Sequence, residues 1–231
     1  MFRLLIYPIV LLAIALSVAM VIPAVEWAYS HWEVYRWFLI GVGSYFLLHF
    51  FRIIARNERW LQTFSHELSH TVVSMLFLRR IHSFSATTGE GAITHSGRIQ
   101  FGQIFIALAP YCLPIFTYAL LFLRLLGAQK SLYIFDIMIG FTFAFHLLCF
   151  WRQTGSHQTD IRSVGYLRAY LFLIWAWIFN LTIIALTLRM GIVEAFKDVA
   201  LDSWALLQEW WEIVADWLMV AFDKAMKFVR K

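Results

Sequence analysis

The chain has 231 residues, of which 61% are hydrophobic and only 14% are charged, and its mean hydropathy is +0.71. A soluble domain carries about 25% charged residues, so this composition excludes an ordinary soluble protein and indicates a protein of the lipid bilayer. The net charge of +5 comes from basic residues at the ends of apolar runs, where they hold loops on the cytoplasmic side, and no nucleic-acid partner is needed to explain it.

Apolar runs long enough for membrane helices recur along the chain, since a helix needs about 20 residues to cross the hydrocarbon core. The predicted segments are Leu4–Val25, Trp37–Ile54, Gln62–Leu78, Phe101–Leu126, Leu132–Trp151 and Val164–Leu188. The third segment is only marginally long enough to cross. Leu4–Val25 lacks a small-residue cleavage motif followed by a soluble domain, so we interpret it as a retained span. The prediction is an all-α polytopic membrane protein with five to six membrane helices.

The most polar part of the membrane region runs from Arg79 to Gln100. Its segments "IHSFSA" and "GAITHSG" alternate in polarity on either side of Thr88-Gly89-Glu90-Gly91, a pattern that predicts a short β-hairpin.

The chain ends in a predicted amphipathic helix that begins near Glu194. Acidic residues recur every seven positions on one face, at Asp202, Glu209, Asp216 and Asp223. The other face carries Trp204, Leu207, Trp211, Leu218 and Phe222. Such a helix lies along the membrane surface or packs on a partner. We therefore divide the chain into a membrane-embedded domain, residues 1–190 with a core of about 37–188, and an interfacial helix, residues 191–231.

The sequence "FSHELSH" places His66, Glu67 and His70 in an apolar stretch. His66 and His70 are four residues apart, so their imidazoles project from one side of a helix and can bind one zinc ion. Glu67 is placed to take a proton from a water on that ion and pass it to a leaving amine. The alternative is a polar cluster satisfied by hydrogen bonds inside a helix bundle. An ionisable cluster at membrane depth is costly, which favours a functional site.

A catalytic zinc ion takes three protein ligands and keeps one open position, so a third ligand is expected. The candidates are His82, His95, His146, His157 and Asp160. The first two fall in the polar hairpin region and the third inside an apolar span. His157 and Asp160 lie together in "TGSHQTDI", between two spans, and spacing alone does not choose between them.

The segments "FSHELSHTVVSMLF" and "IALAPYCLPIF", the hairpin between them and a later Asp between apolar runs together resemble the site-2 protease family. These are intramembrane zinc metalloproteases that cut peptide bonds in or near a membrane-spanning substrate. The resemblance implies one Zn²⁺ per chain held by His66, His70 and Asp160, with Glu67 as general base, and a membrane-protein substrate. The chain resembles a divergent branch, because no Asn-Pro precedes Asp160 and Ile161 follows it.

The distribution of arginines predicts the orientation of the chain. If Gln62–Leu78 only dips into the bilayer, His66, His70 and Asp160 share one face, and most loop arginines lie on the inner side, as the positive-inside rule requires. We therefore expect the site near the cytoplasmic face of a bacterial inner membrane, with the C-terminal helix on the other side.

Two other classes of function could use the same histidines. A zinc carrier would place polar residues along several spans, yet Leu4–Val25 contains only Ser17. A non-catalytic metal-binding scaffold or pseudoprotease, acting through the C-terminal helix, remains the alternative, although a retired protease would most simply have lost Glu67.

Overall fold

The computed structural model describes residues 2–88, 90–96, 102–155 and 157–229. The helices are α1 (Phe2–Ser30), α2 (Trp32–Phe50), α3 (Ala55–Leu76), α4 (Gln103–Cys112), α5 (Ile115–Leu123), α6 (Leu132–Gln153), α7 (Thr159–Val164), α8 (Tyr166–Met190) and α9 (Ile192–Val229). The strands are β1 (Arg80–Ala86) and β2 (Gly91–Ser96). The described chain is thus overwhelmingly helical with one small sheet, as the composition and the apolar runs predict.

Three of these helices are long and apolar enough to cross a membrane. The segments are Tyr7–Ser30, Gln129–Gln153 and Tyr166–Met190, which belong to α1, α6 and α8. The pair α4 and α5 supplies a fourth if it is counted as one broken span. Neither α2 nor α3 meets the same test among the described residues. Five to six membrane helices therefore stays a prediction, beyond the three or four that length and composition support.

The predicted span Phe101–Leu126 is not one continuous helix. Its two halves, α4 and α5, diverge by 82° at a short break. Leu113 there has an extended backbone (φ −93°, ψ 104°), the conformation favoured immediately before a proline. Pro114 has no N–H to continue the helical ladder and its ring clashes with the preceding turn, so α5 starts afresh in a new direction. Phe101 itself lies outside the described residues.

Helices α2 and α6 cross at very short range because each has a glycine that faces the backbone of the other helix. A Cβ on Gly41 would overlap the carbonyl oxygen of Ile137, and one on Gly140 would overlap that of Phe38. Small residues at a helix crossing let two backbones touch, which is how helices associate in lipid. The crossing fixes the position of the C-terminal end of α6, which lies beside α3.

A polar cluster around the buried Glu58 carboxylate, which we name the Glu58 cluster, ties α2, α3 and α6 together. It consists of Tyr45, His49, Glu58 and Arg152. The Glu58 Oε1 atom accepts hydrogen bonds from the Tyr45 hydroxyl at 2.5 Å and from His49 Nδ1 at 2.8 Å. Arg152 Nη1 donates to Oε2 at 3.4 Å. Each donor is on a neighbouring helix, so the carboxylate holds α3 against the bundle.

The predicted hairpin is confirmed by an antiparallel pair of strands that lies across α3. Ala86 at the end of β1 pairs with Gly91 at the start of β2. The rings of Phe64 and Phe84 meet edge to face at 5.7 Å, and Trp60 Nε1 donates to the Ala86 carbonyl at 3.2 Å. These contacts bring the turn end of the hairpin over the middle of α3.

The first part of the C-terminal helix α9 packs on α1 and α8. Ala195 and Val199 are buried with residues of α8. Farther along, the Trp204 and Trp211 side chains are 63% and 68% exposed. The helix itself is therefore present, whereas its location along a membrane surface stays a prediction. Residues 230 and 231 lie outside the described part.

Candidate metal centre

The structure brings His66, His70 and Asp160 to one point between α3 and α7. The Asp160 Oδ2 atom is 3.6 Å from His66 Nε2 and 3.4 Å from His70 Nε2. One ligating atom from each residue lies within 4.8 Å of the others. Within the described ranges, no second group of His, Cys, Asp or Glu converges in this way.

Asp160 reaches α3 because α7 is a short helix with a buried apolar side. Ile161 and Val164 are packed in the core formed by α4, α7 and α8. Their burial leaves the preceding Asp160, in the first turn of α7, directed toward the two imidazoles. The Tyr111 hydroxyl donates to Oδ2 at 3.1 Å and adds a second restraint on the carboxylate.

Each imidazole is oriented through its other ring nitrogen. His66 Nδ1 is 3.3 Å from Gln153 Oε1, and His70 Nδ1 is 2.7 Å from the carbonyl oxygen of Ile106. Both partners are acceptors, so each ring carries its proton on Nδ1 and presents the Nε2 lone pair to the centre. Outer acceptors of this kind are what orient histidine ligands in metalloproteins.

The three donors fit a zinc ion. Zinc prefers histidine nitrogen and carboxylate oxygen at about 2.0–2.1 Å in tetrahedral geometry, which sets neighbouring ligand atoms about 3.3 Å apart. The two observed distances of 3.4 and 3.6 Å are close to that edge length. Two histidines and one carboxylate leave the fourth position open, as in catalytic rather than structural sites.

Glu67 lies beside this centre and under the hairpin. Its side chain is only 8% exposed, and a Cβ built on Gly91 would come within 2.5 Å of its Cγ and Oε1 atoms. A carboxylate so placed can accept the proton of a water molecule bound at the centre.

The two histidines favour the ionised form of Asp160. Burial alone would raise its pKa, but the hydrogen bonds and the positive charge that the His66 and His70 rings supply once they are protonated outweigh that effect and hold the pKa well below the usual range. The carboxyl therefore stays ionised, as a metal ligand must.

The other histidines lie elsewhere. His82 bonds to Ser96 on the exposed hairpin, and His95 lies 3.4 Å from Arg79. His146 is buried in the bundle, and His157 is an exposed neighbour of Gln158. The geometry favours Asp160 over His157 as third ligand, and that choice of ligand stays a prediction.

Three features of the site were not predicted from the sequence. They are the Gln153 amide, the Ile106 carbonyl and the close approach of Gly91 to Glu67. Gln153 follows a basic residue at a helix end, and no sequence pattern marks its amide as a partner of His66. The sequence does mark the Ile106 carbonyl, because Pro110 stands four residues after it in "IALAPYCLP" and has no N–H to bond with it.

Comparison with known families agrees with this geometry. The family model described as Peptidase M50B-like matches residues 44–213, well over half of the chain and including every residue of the centre. No curated protein and no solved structure gives a significant match. The chain therefore belongs to the Peptidase M50B-like family, the site-2 protease family that the HELSH segment resembles, and membership implies a metal-dependent protease of the membrane.

Proposed function

We propose that this protein is an intramembrane zinc metalloprotease that hydrolyses a peptide bond in or near a membrane-spanning substrate. The observation that carries the proposal is the convergence of His66, His70 and Asp160 with Glu67 beside them. Family membership supports the same reaction class.

Each residue of the site has a distinct role in this proposal. His66 and His70 would hold the zinc ion through Nε2 and Asp160 through a carboxylate oxygen. Zinc bound there would lower the pKa of a water molecule to about 7 and polarise the scissile carbonyl. The Glu67 carboxylate accepts the proton of the attacking water and later donates it to the leaving amine nitrogen. Gln153 and the Ile106 carbonyl keep both rings in the ligating orientation.

The substrate in this proposal is a membrane protein whose helix must open before cleavage. A transmembrane helix has all its backbone groups paired, so its carbonyls are not free for attack until a stretch unwinds. The hairpin lies over Glu67 and offers strand edges on which an unwound stretch could pair by β-augmentation. The alternative for the hairpin is a plain connection between α3 and α4.

The proposed location is the cytoplasmic side of a bacterial inner membrane, with α9 on the opposite side. Arg52, Arg79, Arg80 and Arg152 then fall on the inner face together with the metal centre. A reporter fused to the C-terminus tests this arrangement, because a cytoplasmic C-terminus would contradict it.

The decisive experiment measures zinc per chain in detergent-purified, metal-replete protein. The variants are the parent, His70→Ala, Asp160→Ala and His157→Ala. We expect about one zinc per chain in the parent and in His157→Ala, and a loss of zinc in the other two, because a three-ligand site does not survive removal of one ligand. His157→Ala is the matched control, since it removes a nearby histidine that lies outside the cluster.

Cleavage is tested in proteoliposomes with tagged single-span reporters whose helices carry an Asn-Pro break at successive depths. Zinc-dependent cleavage of one or more reporters, absent in Asp160→Ala, would support the protease. A parent that binds no zinc would overturn the metal site. A parent that binds zinc but leaves every reporter intact would favour the non-catalytic scaffold.

A further inference from the structure

The acceptor that orients His70 is a backbone carbonyl in the middle of a helix. His70 Nδ1 lies 2.7 Å from the Ile106 oxygen, and both residues are buried. Within an α-helix, the carbonyl of residue 106 normally accepts the N–H of residue 110. Residue 110 is a proline that lies inside α4, and proline has no N–H to give.

We infer that Pro110 is a positioning residue for His70. By withholding the helical donor, Pro110 reserves the Ile106 carbonyl for His70 Nδ1–H, and this bond aims His70 Nε2 at Asp160. The inference rests on the proposed zinc site, because orientation of Nε2 is what a metal ligand requires.

The bend between α4 and α5 does not explain this proline. That bend lies at Leu113 and Pro114, and α4 continues through Pro110 as far as Cys112. Proline in a helix interior is destabilising. The carbonyl it frees is in a dry environment, where an unpaired acceptor is costly, and the His70 ring supplies the missing donor. His70 thus supplies to the Ile106 carbonyl the hydrogen bond that Pro110 cannot supply.

The test compares variants with and without a backbone hydrogen-bond donor at position 110. Pro110→Ala restores an N–H that competes for the Ile106 carbonyl. The α-hydroxy analogue of alanine, introduced at position 110 by nonsense suppression, has an ester oxygen in place of that N–H and also lacks the proline ring. We expect Pro110→Ala to weaken zinc affinity about tenfold, and the ester variant to recover most of it.

Thermal unfolding of the metal-free protein separates this effect from general damage. Pro110→Ala restores a helical hydrogen bond, but the buried His70 Nδ1–H loses its acceptor, so the unfolding midpoint should change little while the zinc affinity falls. General damage to the fold would instead lower the midpoint and the zinc affinity together. Pro23→Ala in α1 is the matched control, since it removes another proline from a helix interior away from the centre and should leave zinc affinity unchanged.

A metal-free measurement keeps the inference separate from the proposed function. In protein labelled with ¹⁵N-histidine at alkaline pH, the parent should show His70 as the Nδ1–H tautomer, with the signal identified by its loss in His70→Asn. Pro110→Ala should reduce the population of that tautomer. If the parent protein binds no zinc, the proposed function is wrong, but the tautomer of His70 can still be measured. Unchanged tautomer and affinity in Pro110→Ala, or equal losses in the alanine and ester variants, would overturn the role of Pro110.

Discussion

Helix α3 carries two buried polar groups of residues, with Glu58 placed two helical turns before His66. In the Glu58 cluster, the carboxylate is surrounded by donors from Tyr45, His49 and Arg152. At the metal centre, the atoms that face one another are two Nε2 lone pairs and a carboxylate oxygen. The first arrangement is complete within the protein, whereas the second concentrates acceptors on a point where a cation would stabilise them.

This difference shows why burial alone does not identify a functional carboxylate. Glu58 and Glu67 are 6% and 8% exposed, so their burial is nearly the same. Their neighbours separate them: Glu58 is held by donors on other helices, and Glu67 lies beside the metal centre under a glycine of the hairpin. We therefore expect substitution of Glu67 to reduce cleavage and substitution of Glu58 to reduce stability.

The largest predicted effect is on catalysis, in Glu67→Gln. Glutamine has the same shape but does not accept the proton, so cleavage of a reporter in proteoliposomes should fall about 10²–10⁴-fold. Zinc content and unfolding midpoint should stay at parental values, because Glu67 is not among the predicted ligands. Glu58→Gln is the matched control, with cleavage retained per folded molecule and a lower unfolding midpoint. An exchange of these two outcomes would assign the roles the other way round.

The next effect is on stability, in Glu58→Ala. Removal of the carboxylate leaves His49 Nδ1–H and Arg152 Nη1–H without their acceptor, although Arg152 Nη2 still lies 3.1 Å from His49 Nε2, and breaking a buried pair costs about 3–5 kcal/mol. Since the Arg152 side chain is 41% exposed and keeps water, we expect a loss of about 2–3 kcal/mol in the free energy of unfolding. Denaturant titration in detergent measures the loss.

A double variant checks the cause of that loss. In an Arg152→Met background, Glu58→Ala should cost less, because the cation that needs the carboxylate is gone. Equal costs in both backgrounds would show that Arg152 contributes nothing and that packing alone explains the effect of Glu58.

The parts of the site that could be predicted from the sequence are those that depend only on the spacing of side chains along the chain. The pair His66 and His70 needs only a helix to share a face, and the hairpin needs only alternation around a glycine turn. Asp160 and His157 are three residues apart in one polar segment, so no spacing rule could choose between them. The structure favours Asp160 through the burial of Ile161 against α4 and α8, which is a tertiary effect.

Other features escaped prediction for different physical reasons. The carbonyl of Ile106 is a main-chain group that every residue has, so nothing in a residue name marks it as an acceptor for His70. The run Phe101–Leu126 is apolar enough to cross a membrane as a whole, and that composition outweighed Pro114 in the prediction of one span. Hydropathy measures transfer to lipid, whereas the break depends on a single missing N–H.

The smallest effect that sharpens the comparison concerns Gly91→Ala. The added Cβ would lie 2.5 Å from Glu67 Cγ and Oε1, so the side chain must swing away. Because Cγ must move as well as the carboxylate, the buried side chain has to change its χ1 rotamer, and the unfolding midpoint should fall slightly. A misplaced general base should lower kcat for the reporter about tenfold, with KM unchanged, because substrate binding does not depend on it.

Ala92→Val is the control for this change, since adjacent residues of a strand point to opposite faces and the added bulk is directed away from Glu67. A second test combines Gly91→Ala with Glu67→Ala, which removes the atoms that the new Cβ would meet. The shift in midpoint caused by Gly91→Ala should then be more favourable than it is with Glu67 present. Identical shifts in both backgrounds, together with parental kcat, would mean that the hairpin touches Glu67 without fixing its position. The contrast between the two glutamates would then rest on the metal centre alone.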